Sequence, residues 1–372
     1  MIVPIMIAML WDIFCRVIDN FGDVGVCWRL SADLAMRGHR VRLWIDDPSA
    51  LAWMAPAQKL VDVRRWGDAE SVPPSPGDVV IEAFGCNPPD AFVAGMQRNA
   101  PPAWINLEYL SAEDYVERSH GLPSPVWSGP GAGLQKWFFY PGFTDKTGGL
   151  LREPGLIERR DEFLRNPDKR HEWLQSIGVA ADPTRAYVSV FCYDTAPLPA
   201  LLSSLVHENV TVLLTPGPAT RLARQWRETY SGEVSSLRLH ELSHLPQTEF
   251  DCLLWSCDLN MVRGEDSAVR ALWAGRPHVW QIYEQDDGVH ASKLDAFMEL
   301  WLSEWPAPLA HQARQIWKSW NGLNSDASPL SDLLSLAVKQ ADWAHYSDLA
   351  SQKLAIQTDL TTQLLEFVSR PR

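Results

Sequence analysis

The sequence predicts an α/β protein made of two Rossmann-like halves facing a cleft. Short apolar runs rich in β-branched residues alternate with segments of helical spacing, the pattern of a parallel sheet covered on both faces. That alternation occurs twice, beginning near residue 11 and again near residue 186. The length, 372 residues, is sufficient for about two ordinary domains.

In the first half, WDIFCRVI reads as a buried strand and GVCWRLSADLAMRG as a helix stopped by Gly38. RVRLWID is a second strand, and DVVIEAFG (78–85) and AWINLEYL (103–110) are further short apolar runs. The leading MIVPIMIAMLWDIF has no basic segment, and Asp12 and Arg16 interrupt it, so a buried first strand suits it better than a signal peptide or membrane span. Residues 120–150 are rich in Gly and Pro and do not read as a regular element. The second half runs AYVSVFCY, a helix, VTVLLTPG, CLLWSCDLNMV, a helix, and PHVWQIY, and the last thirty residues read as helix. The polar stretch at 160–183 is the expected boundary, giving domains 1–182 and 183–372.

Composition narrows the function classes. The formal net charge is −13 and no Lys/Arg block is present, so broad nucleic-acid affinity is not expected. Six cysteines without a C-x-x-C pair, all in apolar segments, read as reduced residues of a cytoplasmic protein. Eighteen tryptophans point first to large packed cores. The histidines show no metal-ligand spacing, and no metal or cofactor is expected.

Two stretches carry chemistry. In VIDNFGDVGVCWRL (17–30), Asp19 and Asp23 stand in the turn where a Rossmann domain usually receives a phosphate. G-x-G-x-x-G is absent, and Asp23 occupies the place of the pyrophosphate, although Asp46 stands roughly where a ribose-binding acid would. The pair suits a cationic or hydroxylic acceptor, one carboxylate orienting it while the other takes its proton. The structural alternative is an Asx-type turn with Asp23 capping the next helix. In DLNMVRGEDSAVRALWAGRPHVWQIYEQDD (258–287), a strand ends at Arg263, Gly264-Glu265-Asp266-Ser267 follows, and a helix begins. Asp266 or Ser267 would cap that helix, leaving N–H groups for a phosphate, with Arg263 as a donor fork and Glu265 facing ribose hydroxyls. The alternative is a capped helix with an Arg263–Glu265 surface salt bridge. Upstream, Phe191 and Tyr193 end a strand, and Gln247 and Phe250 lie in PQTEF, where a base could stack and pair.

IFCRVIDNFGDVGVCWRLSADL, NLEYLSAE, PGFTDKTGGLLRE, LPQTEFDCLLW and RGEDSAVRALWAGRPHVWQIYEQDDGVHASKL together resemble the bacterial elongation factor P arginine rhamnosyltransferase family, in order from about residue 11 to 295. The resemblance implies a GT-B fold and inverting, metal-independent transfer of L-rhamnose from dTDP-β-L-rhamnose to an arginine of elongation factor P. It implies that Asp23 is the general base and Asp19 the second acid near the acceptor. It further implies thymidine contacts from Phe191, Tyr193, Gln247 and Phe250. Ribose and diphosphate contacts would come from Arg263, Glu265, Asp266 and Ser267, with Tyr283 and Gln285 lining the donor pocket. Glu284 departs from the proline usual after that tyrosine. Three alternatives stay open: a glycosyltransferase with another nucleotide sugar and a non-protein acceptor, an NAD-dependent oxidoreductase, and a non-catalytic sugar-nucleotide-binding module.

Overall fold

Strand β1 (Leu10–Cys15) shows how the first sheet is built, because its side chains alternate between two cores. Trp11, Ile13 and Cys15 face a cluster that includes Leu30 and Leu34 of the helix Gly22–Met36. Phe14 faces the other way, onto Trp44, Trp66 and Phe92. On that second face the fully buried Asp12 accepts Arg42 Nε and Nη2, each at 2.6 Å, Trp44 Nε1 at 2.8 Å and the Gly77 N–H at 2.7 Å. Every lone-pair direction of this buried carboxylate is thereby used, which is the condition for tolerating it in a core.

A computed structural model describes residues 8–18, 21–56, 59–71, 74–284, 288–324 and 326–370. The chain divides into two units, Met1–Glu153 with Gln357–Arg372, and Pro154–Ile356. In the first, β1 is joined by β2 (Arg40–Ile45), β3 (Asp62–Arg65), β4 (Val79–Ala83), β5 (Ala103–Leu107), β6 (Pro123–Pro125) and β7 (Gln135–Phe139). Their order is β3-β2-β1-β4-β5-β7-β6, parallel except for the β6–β7 pair. The second unit holds β8 (Ala186–Val190), β9 (Val210–Leu214), β10 (Arg238–Glu241), β11 (Leu259–Arg263) and β12 (His278–Gln281), all parallel in the order β10-β9-β8-β11-β12. Among the parallel strands the order switches direction between β1 and β4 in the first sheet and between β8 and β11 in the second, and such a switch point is where doubly wound sheets bind ligands.

Several expectations are corrected. Residues 120–150 are not without regular structure: β7 pairs in parallel with β5, and β6, with a proline at each end, forms the sheet edge. The run CLLWSCDLNMV is not one element. Its first part closes the helix Gln247–Ser256, and only Leu259 onward is strand, since burial makes both apolar. The stretch 160–183 carries the helices Leu156–Arg165 and Pro167–Ser176, both inside the second unit. The division into units therefore differs from the sequence boundary at 182/183.

The C-terminal segment is two helices, Ala341–Ala355 and Leu360–Ser369. Asp359 caps the second by accepting the Thr362 N–H at 2.9 Å and also pairs with Arg37. Leu360, Leu364 and Leu365 enter the first unit's core. The tryptophans serve packing: all but Trp53, Trp127 and Trp137 are buried.

Candidate active site

In the second unit the switch point gathers side chains from both central strands. Beyond the end of β8, the Phe191 N–H donates to the Met261 carbonyl at 2.8 Å, so the chain continues in register beside β11. Two residues on, the Tyr193 N–H donates to Gln281 Oε1 at 2.8 Å, and Gln281 Nε2 donates to Thr195 at 3.2 Å. Gln281 is the partner of Arg263 in the β11–β12 register. Arg263 thus ends its strand between the Phe191–Tyr193 segment and β12.

Its guanidinium lies 4.5 Å from the centre of the Phe191 ring and 4.4 Å from that of Tyr193, a double cation–π contact. The side chain is only 5% exposed, yet Nε and Nη1 meet no acceptor among the described residues. A buried charged donor left unsatisfied costs more than a neutral one, so this geometry is built for an anionic acceptor. The aromatic set extends outward. Phe250 meets Phe191 edge-on at 5.9 Å, and the exposed Tyr283 meets Tyr193 edge-on at 5.6 Å. Gln247, the first residue of the helix that carries Phe250, lies three positions earlier and so on the same face.

The turn after Arg263 needs its glycine: Gly264 has φ +64°, a left-handed conformation that costs a side-chain-bearing residue energy. No side chain caps the helix Gly264–Ala274. This corrects the capping expected of Asp266 or Ser267. Ser267 sits inside the first turn, where its hydroxyl accepts the Arg263 N–H and donates to the Arg263 carbonyl, locking the turn. First-turn N–H groups have no partner within a helix and, with the helix dipole, favour an anion. Glu265 is not paired with Arg263. It forms an ion pair with Lys293 at 2.9 Å. Gln285 lies outside the described residues.

Underneath, Arg270 makes a bidentate bridge to Asp251 at 2.7 and 2.6 Å, both side chains buried. It ties the helix bearing Arg263's turn to the helix bearing Phe250. Cys192, between the two rings in sequence, has its thiol pushed up to about 12 by burial and is chemically quiet.

In the first unit, Asp23 lies in the first turn of Gly22–Met36, 3% exposed, with Oδ2 accepting the Ile18 N–H at 2.9 Å. The residue before that helix is Phe21, so Asp23 is not its cap. Asp19 lies outside the described residues. Asp46 accepts the Val17 N–H at 3.0 Å and the Asp47 N–H at 2.9 Å, which binds it to the loop after β1 in place of a ribose. Across the switch point, after β4, Phe84 and Asn87 have φ of +58° and +48°, strain unusual for non-glycine residues, and Phe84 stacks on Tyr109 at 4.4 Å. Among the described residues no three His, Cys, Asp or Glu side chains cluster so as to hold a metal.

Sequence reasoning did not single out Gln281, Lys293 or the Arg270–Asp251 bridge. Arg270 and Asp251 did carry a signal, as charges on otherwise apolar helix faces.

Two Rossmann-like sheets, the second ending in an aromatic-flanked arginine and a helix N-terminus, define a GT-B glycosyltransferase. The chain belongs to the family described as Elongation-Factor P (EF-P) rhamnosyltransferase EarP, whose model matches residues 11–369. It is 40% identical to the protein-arginine rhamnosyltransferase of Pseudomonas aeruginosa and 42% identical to that of Pseudomonas putida, each over 96% of this chain and 98% of the relative. A solved EarP structure, from work on arginine glycosylation of translation elongation factor EF-P, superposes with a TM-score of 0.69 at 30% identity, covering 96% of this chain and 98% of that one. The spinosyn rhamnosyltransferase SpnG complexed with thymidine diphosphate shares the fold at 12% identity and a TM-score of 0.51, covering 95% of this chain and 98% of that one.

Proposed function

We propose that this protein transfers L-rhamnose from dTDP-β-L-rhamnose to one arginine side chain of elongation factor P, with inversion at the anomeric carbon. The observation that carries the donor half is the buried Arg263 guanidinium, stacked on two rings with two donors unanswered. A diphosphate satisfies those donors, and the first-turn N–H groups of Gly264–Ala274 add to them. Phe191, Tyr193 and Phe250 supply stacking for the thymine, Gln247 its polar edge, and Glu265 the ribose hydroxyls. Asp266, Ser267, Tyr283 and Gln285 complete the donor-binding set.

The acceptor is a guanidinium, protonated and a weak nucleophile in water. Asp19 orients it and Asp23 takes its proton. One guanidine nitrogen attacks the anomeric carbon, the C1–O bond breaks, and its electron pair leaves with the β-phosphate of dTDP. The N–H proton goes to the Asp23 carboxylate. Arg263 meets the charge that grows on the departing diphosphate, where a preorganised donor does most for the rate. The six unpaired cysteines support a cytoplasmic setting, and among the described residues no helix is long and apolar enough to cross a membrane.

Intact-mass analysis of elongation factor P after incubation with the protein and dTDP-rhamnose tests this reading. The expected outcome is a gain of one deoxyhexose located on an arginine. An unchanged mass, or a sugar on another residue type, overturns it.

A further inference from the structure

A recess of ≈ 390 Å³ opens at the edge of the second sheet, lined by Val179, Thr211 of β9, Arg227 of the helix Pro218–Thr229, and Leu237, Arg238 and Leu239 on and beside β10. Thr211 and Arg238 are register partners near the amino ends of their strands, the opposite end of the sheet from Arg263. The recess is therefore separate from the donor site.

Its charge is one-sided. Arg227 and Arg238 are exposed, and among the described residues neither forms an ion pair or side-chain hydrogen bond. Behind Thr211 the buried Arg185 guanidinium is held only by neutral acceptors: Thr211 Oγ1 at 3.0 Å, Asn209 Oδ1 at 2.6 Å, and the carbonyls of Val210 and Ser236. Of the acids nearby, Glu241 is taken by Arg224. Asp182 bonds the Thr184 N–H and hydroxyl, and those bonds first, then Arg185 and Arg238, hold it below the usual carboxylate range. At the edge of the recess the His240 imidazole donates from Nε2 to the Ile177 carbonyl at 3.1 Å. Arg227 and Arg238 thus line the recess, with Arg185 behind it, in a chain whose formal net charge is −13.

We propose that this recess is a second anion site, which takes a small organic phosphate with its phosphate between Arg227 and Arg238 and its apolar body over Val179, Leu237 and Leu239. Two planar forks without partners suit a phosphate, the concavity focuses their field, and the volume falls in the range of small-molecule pockets. The apolar floor favours an organic ester over the free inorganic ion.

Calorimetric titration with phenyl phosphate, in protein already saturated with dTDP, tests the site. One saturable site is expected, tighter than for inorganic phosphate and weakening as salt rises. The double variant Arg227→Ser/Arg238→Ser should bind at least tenfold more weakly while melting at the wild-type temperature, both arginines being exposed. Arg263→Ala should bind phenyl phosphate as wild type does, which separates this site from the donor reading. Absence of binding, indifference to the double substitution, or loss in Arg263→Ala overturns the proposal. Equal affinity for inorganic phosphate removes the apolar floor from it.

Discussion

Arg263 stacks on Tyr193, its guanidinium carbon 4.4 Å from the ring centre, at the junction of the two central strands of the second sheet. The ring fixes the plane of the guanidinium but accepts none of its hydrogen bonds. Arg263→Ala should weaken dTDP binding at least tenfold, the loss expected for charge-assisted bonds worth about 1.5–3 kcal/mol. Arg263→Lys should not restore it, because an ammonium neither stacks in plane nor forks. Calorimetry with dTDP decides; unchanged affinity removes Arg263 from the donor site.

Asp23→Asn isolates the acceptor half. An asparagine oxygen still accepts the Ile18 N–H, so the turn survives. Rhamnosyl transfer should fall by about 10²-fold or more, the usual contribution of a positioned base, while dTDP affinity stays near wild type. Wild-type-like turnover would sink the role given to Asp23.

The Arg270–Asp251 bridge predicts a stability effect. Asp251→Ala leaves a buried guanidinium without its carboxylate and should cost about 3–5 kcal/mol. The double variant Asp251→Leu/Arg270→Met should lose less than the single one, since it strands no charge. Thermal melts of the three proteins measure this, and a single variant as stable as wild type contradicts it.

His278 sets a pH dependence. Packed by Trp301 and Trp317, its imidazole is pushed down to about 4 by burial, against the opposing bond from Nδ1 to the Arg276 carbonyl. The unfolded chain therefore takes up a proton near pH 6.5, well before the folded one does. The stability this group contributes is complete above that pH and is lost as pH falls towards 4, by roughly 3 kcal/mol across the window. Denaturant titrations of wild type and His278→Gln from pH 7 to 4 should show a shallower decline in the variant; parallel curves refute the assignment.

Much of the fold was legible because its strands are short runs rich in apolar residues with glycine or proline close by, as in RVRLWI and AWINL. Where the pattern misled, burial was the cause. The end of the helix Gln247–Ser256 and the strand Leu259–Arg263 are both buried and mostly apolar, and periodicity does not separate them. Weakly patterned edge strands such as Arg238–Glu241 gave no signal. At the site, Arg263 and its two rings could be read from their positions at strand ends. Lys293 could not, for its partnership with Glu265 spans 28 residues and depends on how a later helix is laid down.

The helix Leu360–Ser369 completes a core whose other members all precede residue 154. The second unit is in that sense an insertion within the first. During synthesis Pro154–Ile356 is a continuous stretch that has everything it needs once it has emerged, whereas the amino-terminal sheet must wait for the helix Leu360–Ser369, made more than two hundred residues later. Until then the cluster formed by β1 with Leu30 and Leu34 of the helix Gly22–Met36 lacks Leu360, Leu364 and Leu365. Loss of the helix Leu360–Ser369 therefore damages the part of the polypeptide made first.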